Sequence, residues 1–508
     1  MLLIITSLLT TCIYSQGLNT NLSQIDRIKN EIEAINNNTD DEALFLFPTI
    51  SQKRNKDEIN FLKRFSNALL LKPVCGIRYS SAAFEIDPQN TPSDLIWISP
   101  GLKFSGQIPI FYNFTSTWIY FWADFYKHSA YFSKKNTMDS NNKLFNYEPY
   151  NSAEYYRLDP AINAIEFDQG QGGIALLSPT FNFIIGKFKS NLGPFYRDNL
   201  SVSTSSPSFQ QIRINKKIIN GNKQLYFTYL FGSLYSSILD SSKQYLYIDV
   251  NENIRKPNLP RYIALHRLDF LFKPNARIGF YEKIIFGGRD IPLEYLNPLM
   301  PFWSAQHSLG DLDNLIMGFD FTYIYDRLRF IGSFFMDEID PYNIFDKDKN
   351  RNWFGYQFGF SYLPFFLNDK ILFKTEYSKL DPRVYNHRYL INYPTHHNYN
   401  LGFFTGGHAE DIWISLFYFL DKNTNLNFSY ENTLIGEQNI SKQYNTLSID
   451  FLSGKVKRRS VYTVSYSKKI FFDVELLFNL KSFKTVNLNY KLDNFYETSI
   501  SFLYNLHY

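Results

Sequence analysis

Two stretches of the sequence concentrate the residue types that could do chemistry. The first runs from Tyr281 to Glu338 and the second from Glu376 to Asp411. Both place carboxylates, amides, His and Arg among Tyr and Phe. Sugars are bound by aromatic faces that cover C–H patches and by planar polar groups that bond hydroxyls in pairs. These stretches therefore indicate a surface that recognises carbohydrate.

Segment 287–312, within the first stretch, holds the most concentrated set of such residues. We expect it to face outward and to contact glycan. Each of its residues also has a structural interpretation, because Tyr and Trp form the interfacial girdles of membrane barrels and acidic side chains line water-filled lumens. The candidate glycan-binding residues are Arg289, Glu294, Tyr295, Asn297, Phe302, Trp303 and His307.

Other chemistries fit these residues less well. The acidic run 311–320 offers oxygen ligands of the kind that Ca²⁺ prefers, but it lacks the ligand order and the Glu at position twelve of an EF-hand. Ser304, His307 and Asp311 have the composition of a catalytic triad without a nucleophile-elbow motif around the serine. A glycosidase needs two carboxylates at a defined separation, which a sequence does not reveal. We therefore predict no metal, no cofactor and no enzyme.

The elements that hold these residues are predicted to be β-strands. From residue 73 onward, segments such as "DIWISLFYFL" and "QLYFTYLFGSLY" carry apolar residues at alternate positions, and short turn sequences separate many of them. Aromatic residues make up 18% of the chain, yet its mean hydropathy of −0.28 is too polar for a bundle of membrane helices. This combination is typical of strands with one apolar face.

Such strands, of about ten residues with aromatic ends, are long enough to cross the ~25 Å apolar core of a membrane when tilted. They must close into a cylinder, because lipid offers no partner to an unpaired backbone group. The prediction is an all-β protein, a transmembrane antiparallel β-barrel over residues 73–508. A soluble β-sandwich is the alternative.

The N-terminal part of the chain differs from the rest. Residues 1–15 have the apolar core and small-residue end of a secretory signal peptide, although Cys12 also suggests a lipoprotein. Residues 16–72 are predicted to be helical, because apolar residues recur at helical spacing over 22–35 and again after residue 55. No later stretch reaches the roughly 18 apolar residues that a spanning helix requires. The chain is therefore not expected to cross a membrane as helices.

The last predicted strand alternates apolar and polar residues up to its final aromatic residue. This pattern resembles the C-terminal signal by which outer-membrane barrels are recognised for insertion, with Tyr where that signal usually has Phe. It implies a transient partner, the barrel-assembly machinery. The predicted insertion-signal residues are Phe502, Tyr504, Leu506 and Tyr508.

Loop lengths predict the orientation of the barrel, because outer-membrane barrels keep short turns in the periplasm. Counting backward from a periplasmic C-terminus places segment 287–312 outside the cell. The count treats "VYNHRYLINY" as a strand and puts turns near Lys455, Lys468 and Ser482. It arrives at about twenty strands.

Several motifs, in this order, resemble the Wzi-like outer-membrane proteins of capsule assembly, especially their Bacteroidetes-type relatives. They include "EYLNPLMPF", "GDLDN" and "EYSKLDPRVYNHR", whereas the later "LGFFTGGHAED" is less complete than the glycine-histidine pattern of the family. The residues that carry the resemblance are Tyr281, Glu282, Pro298, Asp311, Asp313, Asn314, Asp320, Asp337, Glu338, Glu376, Tyr377, Pro382, Tyr385, His387 and Asp411.

The resemblance implies a barrel of about eighteen strands with a small helical part. It also implies a lectin-like, non-enzymatic role in the bacterial outer membrane, with capsular or other surface polysaccharide and membrane lipid as partners. Nucleic acid is not expected, because the net charge is only +4 and Lys and Arg are scattered. The alternative function is an outer-membrane porin or substrate-specific channel, which would have an open lumen.

Overall fold

The computed structural model of the chain is a closed antiparallel β-barrel of eighteen strands. Each strand pairs with the next along the chain, and the last pairs with the first, which places Cys75 opposite Tyr504 and leaves no open edge. The predicted fold class is therefore confirmed. The structure describes residues 24–40, 69–83, 93–111, 114–133, 157–159, 163–220, 223–246, 248, 254, 256–339, 352–365, 369–437, 449–470, 474–486 and 492–504.

The barrel strands follow one another around the wall in chain order. A short strand, Arg157–Asp159, adds to the wall outside this set. The strands are β1 Leu69–Ala83, β2 Ser93–Phe111, β3 Phe114–Phe132, β4 Ala164–Leu177, β5 Phe181–Phe188, β6 Phe209–Asn220, β7 Lys223–Leu234, β8 Arg261–Lys273, β9 Ala276–Gly287, β10 Asn314–Tyr325, β11 Leu328–Glu338, β12 Trp353–Tyr362, β13 Ile371–Leu380, β14 Ala409–Phe419, β15 Thr424–Ile435, β16 Lys457–Lys469, β17 Val474–Val486 and β18 Leu492–Tyr504.

The turn-by-turn count of about twenty strands is wrong in two regions. The sequence "VYNHRYLINY" forms no barrel strand and belongs to the connection 381–408, which folds into the lumen. Ser482 lies inside β17, and Lys455 belongs to the long connection 436–456. Lys468 ends β16 beside a short turn and not beside an outer loop. Polar residues occur near the ends of strands as well as in turns, so these signals were misleading.

Side chains alternate between the lipid and the lumen. On β10, Phe319 and Tyr323 project outward, whereas Asp320 and Thr322 project inward and are buried. On β18, Phe502 projects outward and is 48% exposed, and its part in an insertion signal stays a prediction. The outer surface is thus an apolar wall, and the polar residues of the same strands are enclosed.

The two ends of the barrel differ in the lengths of their connections. Neighbouring strands are joined by the short turns 274–275, 326–327 and 420–423 at one end, and by long connections such as 189–208 and 288–313 at the other. Because outer-membrane barrels hold short turns in the periplasm, the long-loop end faces the exterior of the cell.

The helix α1, Gln24–Asn37, lies inside the short-turn end. Its apolar stripe, with Ile28 and Ile35 buried, packs on the wall, and Asn36 bonds to Arg327 and Asp369 of two short turns. Spacing by three or four residues places the apolar side chains on one face of the helix. The wall residues that contact this stripe are Leu363, Leu372, Trp413 and Phe417.

The other N-terminal predictions are only partly covered by the described residues. The first strand begins at Leu69, and the predicted barrel begins at residue 73. The predicted signal peptide, the second N-terminal helix, Leu506 and Tyr508 lie outside the described residues. Among the residues that the structure describes, no helix is long and apolar enough to span a membrane.

Candidate functional site

Two long connections fold back into the barrel and pack against the inner face of its described strands. We call residues 189–208, between β5 and β6, the first inner loop, and residues 381–408, between β13 and β14, the second inner loop. Val202 of the first and Leu401 of the second are completely buried and belong to one apolar cluster. The backbone N–H of Ser203 donates to the carbonyl of Leu401 at 2.7 Å. The two inner loops therefore pack as one unit.

Carboxylates of the barrel wall hold the first inner loop in place. The backbone N–H groups of Tyr196 and Arg197 donate to the two carboxylate oxygens of Glu376, at 2.8 and 3.1 Å. The Arg197 guanidinium pairs with Asp411 at 2.8 Å and with Glu431 at 3.0 Å. Glu376 and Asp411 were singled out from the sequence, and in the structure both bond to the first inner loop.

Three further motif residues join the wall to both inner loops. Asp337 of β11 accepts a hydrogen bond from the backbone N–H of Tyr385. The hydroxyl of Tyr385 donates to the carbonyl of Leu200 at 2.7 Å and accepts from the N–H of Phe403 at 3.0 Å. Tyr281 is buried in the same apolar cluster. These three motif residues therefore help to hold the two inner loops against the wall.

Deeper in the lumen, an ion-pair network crosses from wall to helix. The Arg267 guanidinium bonds to Asp269 and Asp320, with four N–O distances of 2.6 to 2.8 Å. Arg277 bonds to Asp269 at 3.2 Å and to Asp40, just beyond α1, at 3.0 Å. Asp320, considered as a calcium ligand, is thus paired with a guanidinium. Among the described residues, no cluster of His, Cys, Asp or Glu is arranged to hold a metal ion.

Burial of these charges shows how the described part of the lumen is filled. Arg267 and Lys283 are 1% exposed or less, and the Lys283 ammonium donates to the carbonyl of Ser201 at 2.7 Å. Asp198 accepts hydrogen bonds from Ser205 at 2.5 Å and from the N–H of Phe404 at 3.2 Å, and burial raises its pKa to about 6. These buried groups thus bond to other groups of the protein.

The predicted glycan-binding segment folds down over the outside of the barrel. We call residues 288–313, with the short helices α2 Leu293–Leu296 and α3 Phe302–Ser308, the outer flap. Tyr295 and Phe302 are completely buried against Ile284 and Phe286, whose side chains project from the outer face of β9. These two aromatic rings therefore attach the flap to the wall.

Polar contacts at the two ends of the flap complete this attachment. Asp313 accepts hydrogen bonds from the Tyr295 hydroxyl at 2.6 Å and from Arg289. Glu282 accepts from the backbone N–H of Phe302 at 2.9 Å and contacts Nδ1 of His266 at 3.1 Å. The acidic residues Asp313 and Glu282 thus have a structural role that their sequence motif did not reveal.

The other predicted residues of the flap remain accessible. Trp303 is 59% exposed and contacts the ring of His307, with 4.7 Å between the ring centroids. Asn297 is exposed, and Glu294 and Arg289 are half-buried. Contact of these five residues with glycan stays a prediction.

The remaining motif residues are distributed over the long-loop end. Tyr377 donates to Glu410 at 2.7 Å on the outer face, and Asn314 donates to the carbonyl of Asn392 at 3.0 Å. His387 is half-buried, and burial lowers its pKa to about 4. Pro382 is buried in the second inner loop, Pro298 is half-buried in the flap, and Glu338 is exposed at the end of β11. The carbonyl of Asp311 accepts a hydrogen bond from Arg388.

Sequence reasoning missed two features of the long-loop end. One is the first inner loop, whose "SVSTSSPS" run is too polar for a strand and was the available signal. The other is a group of exposed rings. Tyr235 is stacked on His397 with 4.2 Å between centroids and 11° between planes, and the Arg388 guanidinium lies 5.2 Å from the ring centroid of the exposed Tyr389. Arg261 donates to the carbonyls of Tyr235 and Tyr393 and so links the connection that holds Tyr235 to the second inner loop.

Comparison with solved structures identifies similar barrels. Wzi, an outer-membrane protein involved in group 1 capsule assembly in Escherichia coli and described as a carbohydrate-binding β-barrel, aligns with a TM-score of 0.50 at 12% identity, over 99% of this chain and 97% of that one. OccAB1 of Acinetobacter baumannii aligns with a TM-score of 0.46 at 10% identity, over 86% and 96%. OpdK of Pseudomonas aeruginosa, with vanillate, has 0.45 at 10%, over 86% and 98%.

A search among curated proteins found no match. The family model for the capsule assembly protein Wzi matches residues 119–496, which run from β3 into β18 and include every residue that carried the family resemblance. The barrel is an outer-membrane protein, and it belongs to the Wzi family of capsule assembly proteins.

Proposed function

We propose that this protein holds capsular or other surface polysaccharide at the cell surface as a lectin without enzymatic activity. Membership of the Wzi family supports the role in capsule assembly. The observation that carries the proposal is the packing of the inner loops within the described part of the lumen, where Arg197, Arg267 and Lys283 are all engaged with protein groups. We therefore assign polysaccharide binding to the surface at the long-loop end and not to the lumen.

The proposed contact surface is the exposed ring group at the long-loop end. Tyr235 and Tyr389 are 40% and 41% exposed, and each lies beside a planar cationic or imidazole group, His397 or Arg388. Such a ring can cover the C–H face of a sugar while the neighbouring group bonds its hydroxyls. Accessible polar groups of the outer flap, including Arg289, extend this surface.

Binding of purified polysaccharide to the purified barrel tests this surface. Tyr235→Ala and Tyr389→Ala should each weaken binding by roughly tenfold, the loss expected for an aromatic side chain at the centre of an interface. Tyr245→Ala is the matched control, because Tyr245 is 67% exposed and lies in the same long connection as Tyr235. Capsule retention by cells that carry each variant gives a second readout. Equal losses in all three variants, or no loss, would contradict this placement.

Two further measurements separate the proposal from its alternatives. In planar bilayers, the purified protein should give no steady conductance, whereas a porin would conduct. Incubation with polysaccharide should leave its chain length unchanged, whereas a hydrolase would shorten it. Transient contact with the barrel-assembly machinery is part of the same proposal and should be captured by crosslinking during export.

A further inference from the structure

On the outer face of the barrel wall, one row of side chains at the same height includes the polar pair His266 and Glu282, whose position needs an explanation. Neighbours across the strands β6 to β12 form this row, and His266 and Glu282 are its only acidic or basic side chains. One step toward the short-turn end, Leu268 and Phe280 occupy the same face and are 38% and 46% exposed. The row consists of Ile214, Tyr229, His266, Glu282, Met317, Met336 and Phe354.

This row lies at the height of the membrane. Glu282 is six residues beyond Ala276, the start of β9, and a tilted strand advances about 2.5 Å per residue along the barrel axis. Glu282 therefore lies roughly 15 Å from the short-turn end, within an apolar band about 25 Å tall. An ionisable side chain on the lipid face of such a wall is strongly unfavourable unless it is covered.

The outer flap supplies that cover. The N–H of Phe302 donates to Glu282, and the Phe302 ring stacks on His266 with 4.0 Å between centroids, so the polar pair is enclosed between wall and flap. Ile284 and Phe286, farther along the outer face of β9, are also buried beneath it. The flap therefore replaces the wall as the outermost surface of this part of the barrel.

The outermost surface of the flap is apolar. Leu293, Leu296, Leu299 and Trp303 are 78%, 40%, 81% and 59% exposed. A concentrated set of exposed leucines is unusual for a loop in water and marks a contact with lipid or protein. Tryptophan is enriched where a protein crosses the boundary between lipid tails and headgroups. The apolar surface of the flap continues that of the exposed wall residues Leu268 and Phe280 below it.

We propose that the outer flap is embedded in the outer leaflet of the membrane, with Leu293, Leu299 and Trp303 in contact with lipid and with Glu282 as the group that latches it to the wall. The lipid is the occupant favoured by the geometry, because the apolar surface is continuous with the lipid-facing wall. This assignment does not rest on the proposed glycan function, whose main contact surface is the ring group of Tyr235 and Tyr389, but it gives Trp303 a contact with lipid in place of the predicted contact with sugar.

Spin labelling of the full chain in lipid vesicles tests the embedding. In a Cys12→Ala, Cys75→Ala background, single nitroxide labels replace Leu299 or Trp303. A label at Phe280 reports the lipid-facing wall, and a label at the exposed Lys243 reports water. Collision rates with oxygen, which dissolves in lipid, and with a nickel chelate, which stays in water, are then compared.

The oxygen-to-nickel ratio at residues 299 and 303 should match that at 280 and exceed that at 243 by about tenfold. A ratio equal to that at 243 would overturn the proposal and return the flap to the aqueous glycan surface. Exclusion of both reagents would also overturn it, in favour of a protein partner.

A second experiment tests Glu282 as the latch. Glu282→Ala should increase the mobility of the label at residue 303, while Glu294→Ala, in the same flap, should leave that mobility unchanged. Equal effects of the two variants would remove Glu282 from that role.

Discussion

The attachment of helix α1 to the barrel offers a quantitative test of the packing described above. Glu31 on this helix has a side chain that is only 4% exposed. Its carboxylate bonds to the Lys374 ammonium at 2.6 and 2.8 Å, to the Ser361 hydroxyl at 2.6 Å and to the Arg329 guanidinium at 3.1 Å. Glu31→Gln removes the negative charge and leaves two buried cations next to a neutral amide.

Loss of one partner of a buried ion pair costs about 3–5 kcal/mol, because the remaining charge has neither water nor a counter-ion. If this cost falls on the docked helix, the undocked population of α1 should rise by about 100- to 4,000-fold. Hydrogen exchange of the α1 backbone amides, measured in the intact barrel, reports this population directly.

The matched control is Glu33→Gln, on the same helix but exposed. It should change the exchange rates of α1 by no more than a few-fold, as is typical of an exposed charge. The reasoning would be refuted if the two variants exchanged at equal rates, because the ion cluster would then contribute nothing to docking.

The same group predicts the effect of acid. Burial opposes ionisation of Glu31, but Lys374 and Arg329 lower its pKa from 4.5 to about 2. A carboxylate whose pKa is lower in the folded state stabilises that state above its unfolded pKa. Protection of α1 should therefore be constant above about pH 5 and fall as the pH drops from about 4.5 toward 2.

Two further predictions follow from contacts at other sites. Nε2 of His408 accepts a hydrogen bond from the N–H of Ser453 at 3.1 Å, and burial lowers the pKa of His408. Protonation of Nε2 removes this acceptor, so the amide of Ser453 should exchange faster as the pH falls below about 6.5. A rate that follows only the intrinsic pH dependence of exchange would contradict this. A Cβ added at Gly279 would lie 2.3 Å from Nη2 of Arg267, so Gly279→Ala should lower the free energy of unfolding by about 1–3 kcal/mol. Gly170→Ala is the control, because a Cβ at Gly170 would meet open space. Equal melting temperatures of the two variants would contradict the crowding at Gly279.

The alternating pattern predicted the strands, because a strand with two different faces repeats every two residues, and the length and aromatic ends of those strands favoured a membrane barrel over a soluble sandwich. It could not distinguish a wall strand from a segment folded inside the wall. The second inner loop carries aromatic residues such as Tyr385 and Tyr399, which are buried in the lumen and not in lipid. Apolar content alone does not separate these two environments.

The candidate site was predictable as a set of residue types but not as a set of roles. Glu376 and Asp411 bond to Arg197, or to its backbone, from positions 179 and 214 residues away along the chain. Tyr281 and Glu282 are adjacent in sequence, yet Tyr281 packs against the inner loops whereas Glu282 accepts a hydrogen bond from the outer flap. Which loop would bond to each carboxylate depends on long-range pairing, which no local motif contains.

The position of α1 has a consequence for the order of assembly. The helix precedes every strand along the chain, yet its partners are Lys374 on β13, Arg329 on β11 and the carbonyl of Tyr196 in the first inner loop, which Arg27 reaches at 2.9 Å. Contacts so distant in sequence form late. During biogenesis this helix therefore has no complete docking surface until β11 and β13, of the eighteen strands, have joined the wall. A helix that precedes every strand in the sequence thus docks late in assembly.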